Sequence, residues 1–301
     1  MTVSQRELRA LLENAGVRPS KRRGQNFLID PNLMRVMVEE AALSAEDLVL
    51  EIGCATGRLT ELLGREAGAV YGVEVEPRLA ELARQRVAEF RNVVIDTCDI
   101  MESKSELNRK VMARVRSIMA DGKTRRLKVV SNLPYSVGSL ALSALLLGEL
   151  PIELMVLTLQ EEVAERITAK PGGKEYGTLS VLSQVFSEVR TVRSVPPTAF
   201  WPKPEVNSTI LRFVIRKEAR DEVRDVEKLV AVLRAAFGYR RKKLGSALRH
   251  VTKEANKETV KGLLEGAGVD ADRRGESLSP KEIVKLANML AEDAASRGSS
   301  R

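Results

Sequence analysis

The sequence predicts an α/β protein, with an open, mostly parallel sheet, an antiparallel hairpin at one edge, and a small all-helical domain after it. Between residues 47 and 170, apolar runs typical of buried strands alternate with amphipathic helical patterns, which predicts parallel strands joined by helices. Two further strand patterns, at 188–195 and 208–216, have only a loop between them, and this predicts the hairpin. From about residue 221 every pattern is helical.

These patterns also divide the chain. We expect a sheet domain over residues 1–217, a helical domain over residues 218–294 and a disordered tail over residues 295–301. The connection from 101 to 126 is polar and has a helical pattern, and it is long for a unit of this kind. In the last helix, Ser279 and Pro280 predict the N-cap and the first helical position.

The charge balance and the scarcity of histidine and cysteine narrow the classes of function. The 301 residues carry a net charge of +8, with a pI near 9.5, which favours a polyanionic partner. Two cysteines, Cys54 and Cys98, and a single histidine, His250, argue against disulfides, zinc or other metal sites, and histidine-dependent hydrolysis. Without a signal peptide or a long apolar run, we expect a cytoplasmic protein with no membrane partner.

Three successive predicted strands end in small or acidic residues. Gly53 and Gly57 follow the first strand, where glycines let the backbone approach a ligand and a helix N-terminus faces it. Their spacing, after the acidic Glu51, is more typical of loops that bind S-adenosylmethionine than of nicotinamide-binding loops. Glu74 ends the second strand, where a carboxylate accepts hydrogen bonds from ribose hydroxyls. Asp99 ends the third strand, where a carboxylate can accept a hydrogen bond from the adenine amino group of such a cofactor.

A fourth strand pattern ends in VVSNLPYSVGS, residues 129–139. Pro134 fixes a turn where the strand stops, so Asn132 and Tyr135 are predicted to lie at the edge where open α/β sheets bind ligands. Taken alone, Asn132 is as well explained as a turn residue, and Tyr135 as a packed core aromatic. The nucleotide-binding pattern on the neighbouring strands favours a function for both.

The order of these motifs resembles that of the ribosomal RNA adenine N6,N6-dimethyltransferases, the KsgA-type family related to the Erm resistance methyltransferases. The resemblance covers about residues 20–292, and its Asn-Leu-Pro-Tyr and VPP-x-x-F-x-P elements are specific. The matching segments are GQNFLID, EIGCATG, VEVEP, DTCD, SNLPYSVGS, EEVAERI, YGTLSVLSQ, VPPTAFWPKPEVNSTILRF and AFGYRRKKLGSAL.

The resemblance implies a Rossmann-like S-adenosylmethionine-dependent methyltransferase that acts in ribosome biogenesis. It implies methyl transfer to N6 of two adjacent adenosines near the 3′ end of 16S ribosomal RNA, with the immature small subunit as partner and a monomeric enzyme. It places Asn26 and Leu28 over the methionine end of the cofactor, Gly53 beneath it, Glu74 on the ribose and Asp99 on the adenine. The full set of implied cofactor contacts is Gln25, Asn26, Leu28, Gly53, Ala55, Gly57, Glu74, Asp99 and Asn132.

The glycine-rich loop departs from the family at two positions. Ala55 stands where the family usually has glycine, and Cys54 where it often has proline. If Ala55 has a positive φ, its methyl group would crowd the cofactor, so we expect weaker or slightly shifted binding. The 101–126 connection is also longer than the resemblance implies, and the sequence assigns it no role.

The resemblance gives the catalytic segment a chemical task. The lone pair of an adenine N6 amine is delocalised into the ring, so acceptors on its N–H groups are needed to concentrate it on nitrogen. We expect the side-chain oxygen of Asn132 and the carbonyl of Leu133, next to the Pro134 turn, to be those acceptors. Tyr135 would stack on one face of a flipped base and Phe200 would cover the other, with Trp201 as the alternative to Phe200.

Two basic clusters are candidates for RNA contact. They are Lys21, Arg22 and Arg23, beside the QNFL segment, and Arg240, Arg241, Lys242 and Lys243, in the helical region. Two other functions stay open: an Erm-type enzyme that methylates 23S RNA, and a non-catalytic RNA-binding assembly factor. Leu133 and the full helical domain disfavour the first, and the intact Asn-Leu-Pro-Tyr segment disfavours the second.

Overall fold

The strands of the chain form a seven-stranded mixed sheet and a separate two-stranded sheet. The computed structural model describes residues 5–20, 24–239, 242–251 and 257–298. The strands are β1 (Phe27–Leu28), β2 (Asp47–Ile52), β3 (Ala69–Glu74), β4 (Val93–Thr97), β5 (Arg126–Asn132), β6 (Ile152–Gln160), β7 (Ser187–Val195), β8 (Phe200–Trp201) and β9 (Ser208–Ile215).

The order of the large sheet is β4-β3-β2-β5-β6-β9-β7. The neighbouring strands β4 and β3, β3 and β2, β2 and β5, and β5 and β6 pair in parallel. Strand β9 pairs antiparallel with β6. Every residue of β2 is buried, as expected for a central strand covered on both faces. The parallel sheet and the antiparallel edge confirm the predicted fold class. The order also places the carboxyl ends of β4, β3, β2 and β5 side by side.

Helices fill the connections and continue through the C-terminal region. The helices are α1 (Gln5–Asn14), α2 (Pro31–Ala41), α3 (Arg58–Glu66), α4 (Pro77–Arg86), α5 (Arg109–Ala120), α6 (Gly138–Leu147), α7 (Glu161–Thr168), α8 (Thr178–Phe186), α9 (Ala219–Glu222), α10 (Val226–Gly238), α11 (Leu244–Val251), α12 (Lys257–Ala267) and α13 (Pro280–Gly298). None of the described helices combines the length and the apolarity needed to cross a lipid bilayer.

Packing divides the chain into two compact units. The sheet unit comprises Met1–Ala164 and Val189–Ile215, and the helical unit comprises Glu165–Glu188 and Arg216–Arg301. In the helical unit, the Tyr176 hydroxyl donates to the Leu278 carbonyl at 2.8 Å, which ties the segment before α8 to the segment before α13. The predicted boundary at residue 217 lies beside the break between Ile215 and Arg216, but the sequence did not predict that Glu165–Glu188 groups with the helical unit, because contacts of this kind join residues far apart in sequence.

The start of α13 forms as its sequence predicts. Ser279 is the N-cap and Pro280 the first helical residue; the Ser279 hydroxyl accepts from the Glu282 amide at 3.3 Å, and Glu282 accepts from the Ser279 amide at 2.7 Å. The hydrogen bond from Arg273 holds the pKa of the Glu282 carboxyl at about 2. The helix continues to Gly298, so it includes the first residues of the segment 295–301 for which we expected disorder. Helix-forming residues such as Ala294 and Ala295 extend it.

Candidate active site

A cavity of about 210 Å³ lies in the sheet unit, at the edge where the carboxyl ends of the parallel strands meet. Its lining includes most of the predicted cofactor contacts: Gln25, Asn26, Leu28, Gly53, Ala55, Glu74, Asp99 and Asn132. Pro134 of the catalytic segment also lines it, whereas Gly57, Leu133, Tyr135 and Phe200 do not. Five separate segments of the chain therefore converge here, as the strand order requires.

The loop after β2 lies close to the catalytic segment. Gly53 has φ 80°, and a Cβ there would come within 3.1 Å of Pro134 Cγ. Gly57 has φ 76°, and a Cβ there would lie 2.9 Å from the Ala83 Cα. Gly57 therefore allows α3 to start against α4 without itself lining the cavity, which explains why it matches the motif but not the lining.

Ala55, which stands where the family usually has glycine, adopts a positive φ. Its φ is 50°, in the left-handed region that costs an L-residue with a Cβ about 1 kcal/mol or more relative to glycine. Its amide donates to Glu74 Oε2 at 3.0 Å, and this bond holds the loop in place. Ala55 lines the cavity, so a methyl group stands where glycine would have none.

Glu74, the last residue of β3, is a buried carboxylate that faces the cavity. Oε2 accepts from the Ala55 amide, and Oε1 accepts from the Glu76 amide at 2.9 Å. Burial raises the pKa of this carboxyl, and the backbone hydrogen bonds oppose that rise. Each oxygen still has a second lone pair that a ligand hydroxyl could use.

Asp99 lies two residues after the end of β4 and is exposed at the rim of the cavity. Its Oδ1 accepts from the Met101 amide at 2.9 Å, which fixes the turn after the strand. Its neighbour Cys98 also lines the cavity. Burial, and then the carboxylates of Asp96 and Asp99, raise the pKa of the Cys98 thiol, so the thiol stays protonated near neutral pH.

The QNFL segment closes one side of the cavity. The Gln25 side-chain oxygen accepts from the backbone N–H of Ser20 at 2.9 Å. The side-chain Nδ2 of Asn26 donates to the Gly24 carbonyl at 3.3 Å. Strand β1 then pairs antiparallel with β8, and Leu28 lies opposite Phe200. These contacts hold the segment against the strand edge rather than leaving it a free loop.

Asn132, the last residue of β5, is the most specifically prepared side chain of the site. Its Nδ2 donates to the Asn26 carbonyl at 3.1 Å, so the amide orientation is fixed. Its Oδ1 is buried and has no hydrogen-bond partner among the described residues. A buried acceptor without a partner costs free energy, which favours a ligand that can donate to it. Asn132 lines the cavity together with Pro134.

The aromatic residues are brought together in a different geometry from the one we expected. The rings of Tyr135 and Phe200 lie 6.4 Å apart at 68°, edge to face, so they do not present two parallel faces to a base. The Tyr135 hydroxyl lies 2.5 Å from the Ser208 Oγ, and burial raises the pKa of this phenol. Trp201, the alternative to Phe200, stacks instead on Phe27, with centroids 6.5 Å apart at 18°.

Glu51 is a cavity residue that the sequence did not single out as a contact. It is 2% exposed, lines the cavity, and leaves Oε2 without a partner among the described residues. Burial, with the nearby Glu74 carboxylate, raises the pKa of Glu51 to about 8. Its position two residues before Gly53 was the available signal for a cavity residue. An acidic residue inside an apolar strand does not, however, show which face of the sheet its side chain lies on.

Of the predicted RNA-binding residues, only Lys242 and Lys243 belong to the described part of the chain. Lys21, Arg22 and Arg23, together with Arg240 and Arg241, lie outside the described residues. The Lys242 ammonium lies 2.6 Å from the His250 Nε2, and Lys243 pairs with Asp272 at 2.9 Å. The parts of the chain that are described contain no group of three or more His, Cys, Asp or Glu suited to a metal ion.

A Rossmann-like sheet with a glycine loop, acidic strand ends and an Asn-Leu-Pro-Tyr segment at one cavity defines an S-adenosylmethionine-dependent methyltransferase. The cavity fits this cofactor in two respects. Gly53 lines the cavity and has no side chain, so its backbone borders the space for a ligand. Glu51 also leaves a buried carboxyl oxygen unpaired, suited to a cationic or hydrogen-bond-donating ligand group.

The comparisons with known proteins define the family. The family model described as ribosomal RNA adenine dimethylase matches residues 17–292, and the chain belongs to this family. It is thus an S-adenosylmethionine-dependent rRNA adenine dimethyltransferase. Relatives named "Ribosomal RNA small subunit methyltransferase A" include one from Geobacillus sp. (strain WCH70), 38% identical over 284 residues, which cover 94% of this chain and 95% of that protein. The Moorella thermoacetica relative is 37% identical over 93% of this chain and 96% of its own.

Solved structures show the same fold. A dimethyladenosine transferase from Plasmodium falciparum matches with a TM-score of 0.71 and 21% identity, over 88% of this chain and 97% of its own. The 23S rRNA methyltransferase ErmE matches with a TM-score of 0.60 and 24% identity, over 88% of this chain and 100% of its own. At these identities the two structures support the architecture and do not distinguish between their substrates.

Proposed function

We propose that this enzyme methylates N6 of two adjacent adenosines near the 3′ end of 16S ribosomal RNA, in the immature small subunit, to give N6,N6-dimethyladenosine. Membership of the adenine dimethylase family supports the reaction, and the names of the full-length relatives support the small-subunit substrate. We further propose that it works as a monomer in the cytoplasm, where bacterial ribosomes are assembled.

The unpartnered Oδ1 of Asn132 is the single observation that carries this proposal. It is a fixed, buried acceptor, and an exocyclic amine of adenine is a donor of matching kind. When Oδ1 and the adjacent Leu133 carbonyl accept the two N–H groups, the nitrogen lone pair is drawn out of conjugation with the ring. Bound S-adenosylmethionine supplies a methyl group made electrophilic by its sulfonium.

The rest of the catalytic task is alignment and charge stabilisation. The Asn26 carbonyl holds Asn132 Nδ2 and so points Oδ1 at the position of the incoming nitrogen. Oδ1 also stabilises the positive charge that develops on that nitrogen. The methylated nitrogen then loses its proton to water, so no histidine base is needed. Because the Asn132 amide is neutral, one acceptor serves both the first methylation, at a primary amine, and the second, at a secondary amine.

The cofactor roles follow the positions in the cavity. We propose that Glu74 accepts hydrogen bonds from the ribose hydroxyls, that Asp99 accepts one from the adenine amino group, and that Asn26 and Leu28 cover the methionine end. Gln25, Gly53 and Ala55 complete the wall, and Gly57 acts by positioning α3. The two backbone donors hold the Glu74 carboxylate in place and favour its ionised form against the opposing effect of burial.

The target base has to be flipped out of the RNA to reach this cavity. We propose that it stacks on Tyr135, whose hydroxyl is held in place by its hydrogen bond with Ser208. Phe200, which is 2% exposed and packs edge to face with Tyr135, serves as the wall behind that ring. The basic clusters at 21–23 and 240–243 are proposed to contact phosphates.

The experiment is methylation with S-adenosylmethionine labelled in its methyl group. Immature small subunits, free 16S RNA and large subunits are supplied separately, and the labelled nucleotides are mapped and identified by mass spectrometry. We expect N6,N6-dimethyladenosine at two adjacent positions of small-subunit RNA. Label in large-subunit RNA would instead indicate an Erm-type enzyme, and no label on any substrate would indicate a non-catalytic assembly factor.

A further inference from the structure

The connection between β4 and β5 carries a concentration of positive charge that the proposed reaction does not use. Between residues 109 and 125 it contains six Lys or Arg residues and one acid, Asp121. Four of these cations lie on α5, which has no Asp or Glu of its own. A surface helix normally mixes both signs, because like charges at neighbouring positions repel one another.

The cations of α5 point away from the core. Val111 and Val115 are fully buried, so they fix which side of the helix packs on the sheet unit. At 100° per residue the opposite side carries Ala113, Ser117 and Ala120 along its centre. The cations lie along the two borders of this strip: Arg109 and Arg116 on one side, Lys110 and Arg114 on the other. All seven of these residues are exposed.

Little within the protein neutralises this surface. Arg116 pairs with Glu149 at 2.9 Å, but both side chains are more than half exposed, and such pairs contribute little. In the described part of the chain, Arg109, Lys110 and Arg114 form no salt bridge. The surface therefore keeps a net positive charge that an external polyanion can complement.

The start of α5 is joined directly to the cavity. Asn108 is its N-cap: Oδ1 accepts from the Lys110 amide at 2.9 Å, and Nδ2 donates to the Asp99 carbonyl at 3.0 Å. Asp99 lines the cavity, so Arg109 and Lys110 lie next to its rim. The positive end of the helix dipole lies at the same place.

We propose that the exposed basic face of α5, formed by Arg109, Lys110, Arg114 and Arg116, binds the phosphate backbone of the RNA whose adenosine enters the cavity. The inference rests on the proposed function, because it takes the substrate to be RNA. Phosphates supply the missing negative charge, and the small residues between the two rows of cations let a backbone approach closely. Contacts of this kind position the RNA without reading its sequence.

The test compares two variants that lose the same charge. One is the triple variant Arg109→Gln, Lys110→Gln and Arg114→Gln, in which glutamine preserves helix propensity. The control is Arg91→Gln, Lys123→Gln and Arg125→Gln, three exposed cations that precede β4 or β5 and so lie at the opposite edge of the sheet. Binding to immature small subunits is measured by filter retention at several KCl concentrations. Thermal unfolding and S-adenosylmethionine binding are measured on the same samples.

We expect the α5 variant to bind more weakly and to reduce the slope of log affinity against log salt by about 2 to 3, since each phosphate that is no longer neutralised lowers the slope by slightly less than one. The control should keep the wild-type slope, and both variants should keep wild-type cofactor affinity. If the α5 variant and the control behave alike while the wild type binds subunits, the inference is overturned and the proposed function stands. If the wild type neither binds nor methylates small subunits, both are overturned. Should the triple variant unfold, the double variant Arg109→Gln, Lys110→Gln carries the same comparison, with a smaller slope change of about 2.

Discussion

At the scale of single residues, two features of the cavity wall depart from what a stable fold alone would favour. Ala55 holds a left-handed backbone at φ 50°, and Glu51 buries a carboxyl oxygen that has no partner among the described residues. Both lie within two residues of Gly53, at the cavity. Unfavourable local states persist where ligand binding needs them or where the surroundings enforce them.

Replacing Ala55 with glycine should strengthen cofactor binding. The substitution removes a methyl group from the cavity wall and relieves the positive φ, while the extra freedom of glycine in the unfolded chain offsets part of the gain in stability. We expect tighter binding of S-adenosylmethionine by calorimetry and an unfolding free energy within about 1 kcal/mol of wild type. Ala42→Gly is the matched control, because Ala42 also has a positive φ but does not line the cavity. Equal affinity in Ala55→Gly and Ala42→Gly would show that the methyl group does not crowd the ligand.

Glu51 should make the stability of the cofactor-free enzyme depend on pH. The pKa of its carboxyl is about 8 in the folded protein against an ordinary 4.5, so between these values the folded state holds a proton that the unfolded state has lost. Stability from this group is therefore fully present below pH 4.5 and falls as pH rises towards 8, by at most about 1.4 kcal/mol per unit.

The substitution Glu51→Gln removes this titration. We expect the melting temperature of the variant, relative to wild type, to rise steadily between pH 5 and pH 8, whereas the exposed Glu66→Gln should follow the wild-type curve. Differential scanning calorimetry across that range provides the measurement. Parallel curves for wild type and Glu51→Gln would mean that the Glu51 carboxyl is ionised throughout the range.

The positions of site residues could be predicted where they follow from a local sequence pattern, and could not be predicted where they depend on a contact with a distant residue. Gly53, Glu74 and Asp99 follow strand patterns directly, so their place at one edge could be predicted from the parallel order alone, and all three line the cavity. The orientation of Phe200 could not, because it depends on Tyr135, which is 65 positions away in sequence and packs against it edge to face. The functional roles of these residues stay predictions.

At the scale of elements, the two-stranded sheet β1–β8 is the least expected feature. Each strand has two residues, which is too short for any periodic pattern, and each is held by the other and by its side chains. Phe27 stacks on Trp201, and the Arg9 guanidinium lies 5.6 Å from the centre of the Trp201 ring. The pair carries the QNFL segment, so it connects α1 to the side of the cavity. By contrast, longer elements such as β2 and the start of α13 were predicted from their own patterns.

Loosening this small sheet should weaken cofactor binding without removing catalytic groups. Trp201→Ala deletes the stack on Phe27, and a stacked aromatic pair contributes about 0.5 to 1.5 kcal/mol. We therefore expect the apparent Kd for S-adenosylmethionine to rise about 2- to 10-fold, measured by calorimetry. Trp201→Phe keeps a ring at this position and should stay close to wild type. Unchanged affinity in Trp201→Ala would show that β1 holds its position without the stack.

At the scale of the whole molecule, the net charge of +8 and the two compact units agree with an enzyme that works on a large polyanion. The sequence predicted the all-helical C-terminal region but not that Glu165–Glu188 groups with it, because contacts such as Tyr176 to Leu278 are invisible to local patterns. The domain boundaries drawn from sequence stay predictions. The ends of four neighbouring strands supply one cavity, and Asn132 supplies its unpaired acceptor.

The most direct measurement is single-turnover methylation of immature small subunits by wild type, Asn132→Ala and Tyr135→Ala. Removing a group that acts mainly in the transition state typically lowers the rate by about 10² to 10³. Asn132→Ala should therefore lose that factor or more, with near-normal affinity for S-adenosylmethionine and for subunits. Tyr135→Ala should slow the reaction and also raise the apparent KM for RNA, because it removes a stacking face worth about 1 to 3 kcal/mol. Methylation by Asn132→Ala at the wild-type rate would contradict the assignment of its side-chain oxygen as the acceptor for the target amine.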